Sequence, residues 1–108
     1  MHKLNLYAVL AGLLQIALAA PSSAGGIARV TINSLAFSPS DIQAKVGDIV
    51  EWVNGDFVDH TATAKNGEWD VTIVAGKSAQ VHLTHAGSFA YFCRIHPNMT
   101  GTIHVITN

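Results

Sequence analysis

Gly87-Ser88-Phe89-Ala90-Tyr91-Phe92-Cys93-Arg94-Ile95-His96-Pro97-Asn98-Met99 decides how this chain folds and what it can hold. A glycine opens an apolar run in which Phe89, Tyr91 and Cys93 fall on one face of an extended strand. With the two rings pointing into a core, the thiol points inward as well, at the end of a rigid element. Cys93, His96 and Met99 then follow at three-residue intervals, and Gly101 marks the return to a strand. Pro97 stiffens the intervening loop by fixing its own φ and restricting His96.

A thiolate, an imidazole and a thioether at this spacing form a metal-ligand set. The second imidazole is read as His60, thirty-three residues upstream of Cys93, because it too follows a strand-like apolar run, Ile49-Val50-Glu51-Trp52-Val53. Two imidazoles, one thiolate and a weak axial Met make up the ligand list of a type 1 blue-copper site, so one copper per chain is expected on His60, Cys93, His96 and Met99. Taken alone, Cys93 would read as a small buried hydrophobe and Met99 as core packing. Their spacing to His96 is what argues for metal.

Outward from this loop the chain reads as all-β. Short apolar or alternating runs are separated by Gly, Pro, Asn and Asp. Strands are expected over 27–33, 42–46, 48–53, 60–64, 71–74, 79–84, 88–93 and 102–106, with the second and third joined as a tight hairpin at Gly47. No stretch after residue 26 keeps a helical period for ten residues. Seven or eight strands in this length favour a two-sheet sandwich. His82 and His104 alternate with apolar neighbours and read as solvent-facing, while His85, before Ala86-Gly87, reads as a turn residue. Trp52 and Trp69 read as packing groups. Asp56, Asp59, Glu68 and Asp70 read as a solvated face, and the sequon Asn98-Met99-Thr100 as chance beside two ligands.

Residues 1–24 have the form of an export signal: a basic start at Met1-His2-Lys3, an apolar run from Leu4 to Ala20, then small residues. Ala17-Leu18-Ala19 and Ser22-Ser23-Ala24 are the two plausible cleavage points. A domain over 25–108 then remains, with no membrane span of its own. Lys3 apart, the chain has five Lys/Arg against seven Asp/Glu, a formal charge of −2 after residue 24, which gives no reason to expect nucleic-acid binding. A domain this small is marginal without a staple. Exported proteins ordinarily use disulfides, but Cys93 is alone. Copper would both occupy the thiol and tie residue 60 to residues 93–99.

The segments Phe37-Ser38-Pro39, residues 46–54, His60-Thr61 and residues 87–99 resemble the small cupredoxins, the blue copper proteins of the plastocyanin family. The two-residue gap between His96 and Met99 is similar to that of amicyanin-like members. The resemblance implies a Greek-key β-sandwich with type 1 copper on His60, Cys93, His96 and Met99. It also implies an electron carrier whose redox partner proteins dock near His96; a monomer and no enzyme is expected, and the export signal points to the periplasm. Two positions depart from the family pattern. Thr61 stands where Asn is common, and a hydroxyl could take over the orienting of the Cys loop. Phe89 stands where Tyr is common and cannot make a tyrosine-corner hydrogen bond. A copper carrier or storage protein would use the same ligands, and a thiol enzyme with Cys93 as nucleophile is the remaining alternative.

Overall fold

Alternation of side chains marks most of the longer strands of the computed structural model, which describes residues 25–108. The export signal expected over residues 1–24 lies outside the described residues. Strand β1 (Ile27–Asn33) buries Val30 and Ile32 and turns Arg29, Thr31 and Asn33 outward, as a period of two requires. It is followed by β2 (Ala36–Ser38), β3 (Asp41–Lys45), β4 (Ile49–Asn54), β5 (His60–Ala64), β6 (Asp70–Ile73), β7 (Ser78–His82), β8 (Gly87–Phe92) and β9 (Thr100–Ile106). Among the described residues no helix is long and apolar enough to cross a membrane.

The strands form the expected two-sheet β-sandwich. One sheet has the order β2-β1-β4-β7 and the other β3-β9-β8-β5-β6. Pairs β1–β4 and β3–β9 are parallel, and the remaining pairs are antiparallel.

The hairpin expected at Gly47 is not formed. β3 pairs with β9, whereas β4 pairs with β1 and β7 in the opposite sheet. Residues 46–48 are therefore a corner between sheets. Gly47 sits at φ +99°, a region that favours glycine, and Asp48 clamps the corner by accepting from Lys45 N at 2.9 Å and Gly26 N at 2.7 Å. Alternation tells which face of a strand is buried but not which strand lies beside it, so two alternating runs across a glycine were misread as neighbours. The ninth strand, β2, is three residues long and too short to show alternation. It pairs antiparallel with β1 and buries Phe37.

Facing side chains of the two sheets meet at Trp52 and Tyr91, both almost wholly buried. Trp52 Nε1 donates to the Tyr91 hydroxyl at 3.2 Å, and Phe37 lies against the same ring with centroids 4.7 Å apart. Burial pushes the Tyr91 phenol up to about 12, against the smaller opposing pull of the Trp52 hydrogen bond. The unfolded phenol ionises near its ordinary value of 10.0 while the folded one keeps its proton. Stability from this group is therefore complete below pH 10 and is lost as pH rises through about 12. The expected loss over that window is about 2–3 kcal/mol. Denaturant titrations at intervals from pH 8 to 12 test this. Tyr91→Phe should start lower, because Trp52 Nε1 loses its acceptor, but should fall less steeply above pH 10 than the native chain.

Candidate metal centre

Three donors converge at one end of the sandwich. Cys93 leaves the end of β8 fully buried, in phase with Phe89 and Tyr91 as the alternation requires. His60 opens β5 and is also fully buried. His96 is half-buried on a loop that closes on itself, since Met99 N donates to His96 O at 2.9 Å and Cys93 N to Met99 O at 3.1 Å. Met99, 3% exposed, is thus held at the end of the same loop.

Cys93 Sγ lies 3.7 Å from His60 Nδ1 and 3.9 Å from His96 Nδ1, and all three donor atoms fall within 4.8 Å of one another. That spacing leaves about 2 Å from each donor to a common centre, the length of a bond to a first-row metal. The two imidazole rings are tilted by 59° with centroids 5.0 Å apart, so they approach from different directions instead of stacking. The thiol is also prepared as a ligand. Burial pushes it up, but hydrogen bonding, with the Thr61 N–H at 3.3 Å foremost, outweighs burial and brings it down to about 6. The donor set fits a soft-to-borderline metal bound by a thiolate and two Nδ1 atoms.

The tautomer of His60 follows from its other nitrogen. Nε2 lies 2.8 Å from Asp56 Oδ2. The Leu35 N–H above all, with further help from His60 and the Ser34 N–H, holds the Asp56 carboxyl below its ordinary value, so it can only accept. The proton of a neutral His60 is therefore on Nε2, and the Nδ1 lone pair is free toward Cys93. Asp56 is not the solvated acid expected of it. It accepts from Ser34 N at 2.8 Å and Leu35 N at 3.0 Å as well, the two residues that turn β1 into β2 with positive φ of 52° and 61°. One carboxylate thus braces a strained turn and orients a ligand ring. Its signal in the sequence was the spacing Asp56-x-x-x-His60 in a loop opened by Asn54-Gly55.

Asn54 was also missed as a site residue. It is 1% exposed, donates through Nδ2 to Val58 O and Ile73 O at 2.9 Å each, and accepts from Asp56 N at 2.9 Å. Its side-chain amide thus holds the loop that carries Asp56 and His60 and ties it to the end of β6. Thr61 meets the Cys loop through its hydroxyl, which accepts from Arg94 N at 2.8 Å. The other histidines among the described residues stand apart from the cluster. His82 Nε2 is 3.1 Å from Gly47 O, His85 is 3.2 Å from Glu68, and His104 is 3.0 Å from Ser88 Oγ, all on the exposed surface.

Comparison with known proteins agrees with this geometry. Residues 6–105 match the family model of a cupredoxin-like domain. The chain is 29% identical to amicyanin of Paracoccus versutus over 82 residues, covering 70% of this chain but 62% of that relative, less than two thirds of its length. It is 30% identical to amicyanin of Paracoccus denitrificans over 93 residues, covering 81% of this chain and 71% of the relative. The crystal structure of Paracoccus versutus amicyanin superposes with a TM-score of 0.65 at 29% identity, covering 82% of this chain and 87% of that one.

Proposed function

Since the chain belongs to the cupredoxin-like family, as a small amicyanin-like cupredoxin, we propose that it binds one type 1 copper through His60, Cys93, His96 and Met99. In this reading it shuttles single electrons between redox partner proteins outside the cytoplasm. The observation that carries the proposal is the convergence of two Nδ1 atoms on a buried, acidified thiol, with the far nitrogen of His60 fixed by Asp56.

Bound copper would supply reversible one-electron chemistry. The chain supplies everything else. Cys93 and His60 hold their donors on β8 and β5, buried from water, so little rearranges around them. His96, half-buried, lies beside the exposed Ile95, and Phe57 is fully exposed on the loop preceding His60. Ile95, next to His96 in the chain, supports docking of partners there. A monomer that performs no bond chemistry fits this role, and the reading of residues 1–24 as an export signal places it in the periplasm.

An absorption spectrum of the copper-loaded protein tests the reading. The expected result is an intense blue Cu(II)-thiolate band that bleaches with ascorbate and returns on reoxidation. A colourless site stable only as Cu(I) would overturn the shuttle in favour of a copper carrier. Asp56→Asn is expected to lower copper affinity by about 10- to 100-fold, the usual effect of losing the acceptor behind a ligand imidazole. Competition with a chelator of known affinity measures it, and an unchanged affinity would remove Asp56 from this role.

A further inference from the structure

A closed ring of hydrogen bonds links the Cys93 segment to the edge of its sheet. Arg94 N donates to Thr61 Oγ1 at 2.8 Å, and the hydroxyls of Thr61 and Thr63 lie 2.9 Å apart. Thr63 Oγ1 donates to Asp70 Oδ1 at 2.8 Å, and Arg94 Nε returns to the same oxygen at 3.2 Å. Thr63 and Asp70 are direct partners across β5 and β6. Thr61, fully buried, also gives its backbone N–H to Cys93 Sγ.

The direction of every bond in this ring is set at Asp70. Thr63 and Arg94 keep that carboxyl below its ordinary value, so it is an acceptor only. The single proton of Thr63 goes to it, and the Thr63 oxygen must then accept from Thr61. With its own proton committed to Thr63, Thr61 presents a lone pair to the Arg94 N–H. Reversing the Thr61–Thr63 bond would take the Thr63 proton away from Asp70 and leave two acceptor oxygens facing each other.

We propose that Asp70 is a positioning residue for the metal centre: acting through Thr63 and Thr61, it fixes the Cys93–Arg94 peptide and the Thr61 N–H···Sγ contact. The tuning of the centre rests on the reading of Cys93 as a copper ligand, whereas the ring itself does not. The Arg94–Asp70 ion pair is a minor part, because both side chains are 48% exposed and such pairs are weak in water. Hydrogen bonds to a ligating thiolate tune its redox potential, so the ring acts on electron transfer without touching copper.

Hydrogen exchange in the metal-free protein and voltammetry of the copper-loaded one test the proposal together. Asp70→Ala and Thr63→Val are expected to speed exchange of the Arg94 amide about ten-fold, the factor for one lost hydrogen bond, with Ile103 in β9 unchanged. Their potentials should shift downward, since a looser N–H leaves more charge on sulfur and favours the oxidised metal. Thr63→Ser, which keeps the hydroxyl, and Arg94→Met, which keeps the backbone N–H, should behave as the native chain. Unchanged Arg94 exchange in Thr63→Val, equal acceleration at Ile103, or a Thr63→Ser that behaves like Thr63→Val would overturn it. A native protein that takes up no blue copper overturns the site reading alone, because exchange in the metal-free protein still decides the ring.

Discussion

Replacing Asn54 with leucine is expected to cost about 3–5 kcal/mol of folding stability, although the two side chains are close in volume. The reason lies in what the amide does. Its Nδ2 serves Val58 O and Ile73 O, and its Oδ1 serves Asp56 N. Leucine fills the space and satisfies none of these groups, and each buried group left unpaired costs roughly 1–3 kcal/mol. Because Asp56 in turn orients His60, copper affinity should fall with stability. Denaturant unfolding of the metal-free variant checks the first effect, and chelator competition the second. A loss below about 1 kcal/mol would mean that water replaces the amide, against the burial seen at residue 54.

Gly101→Ala is expected to destabilise by about 3 kcal/mol, the upper end for an overpacked core. A Cβ at Gly101 would lie 2.6 Å from both Cζ and the hydroxyl of Tyr91 and 2.7 Å from Cε1. The tyrosine cannot yield, since Trp52 holds its hydroxyl and Phe37 its ring face. Gly67→Ala is the matched control. Gly67 adopts φ +82° but has open space around its Cβ position, so only the backbone penalty of about 1–2 kcal/mol should appear. Equal costs at the two positions would show that backbone conformation, not the tyrosine, explains Gly101.

How much was legible in advance differs residue by residue. The inward thiol of Cys93 followed from period-two phasing with Phe89 and Tyr91, because a strand carries its own face assignment along the backbone. His60 could be paired with Cys93 by chemistry alone, since a blue-copper ligand set is incomplete without a second imidazole. Asp56 and Asp70 read as solvated acids in the sequence, because an acid's local sequence does not reveal its hydrogen-bond donors. Those donors come from Ser34 and Leu35 for Asp56, and from Thr63 and Arg94 for Asp70. The corner at Gly47 failed for a related reason: strand pairing is a long-range choice, and β3 finds its partner about sixty residues away in β9.

By itself the sequence determined the all-β class, the inward faces of β1, β7 and β8, and the four residues proposed to bind copper. These depend on local periodicity and on the coordination preferences of side chains, both of which can be read from neighbours along the chain. Only the tertiary structure decided which strands share a sheet, which carboxylate stands behind His60, and how Thr61 is wired to Asp70. Those are contacts between residues far apart in the chain, selected by packing of the whole sandwich.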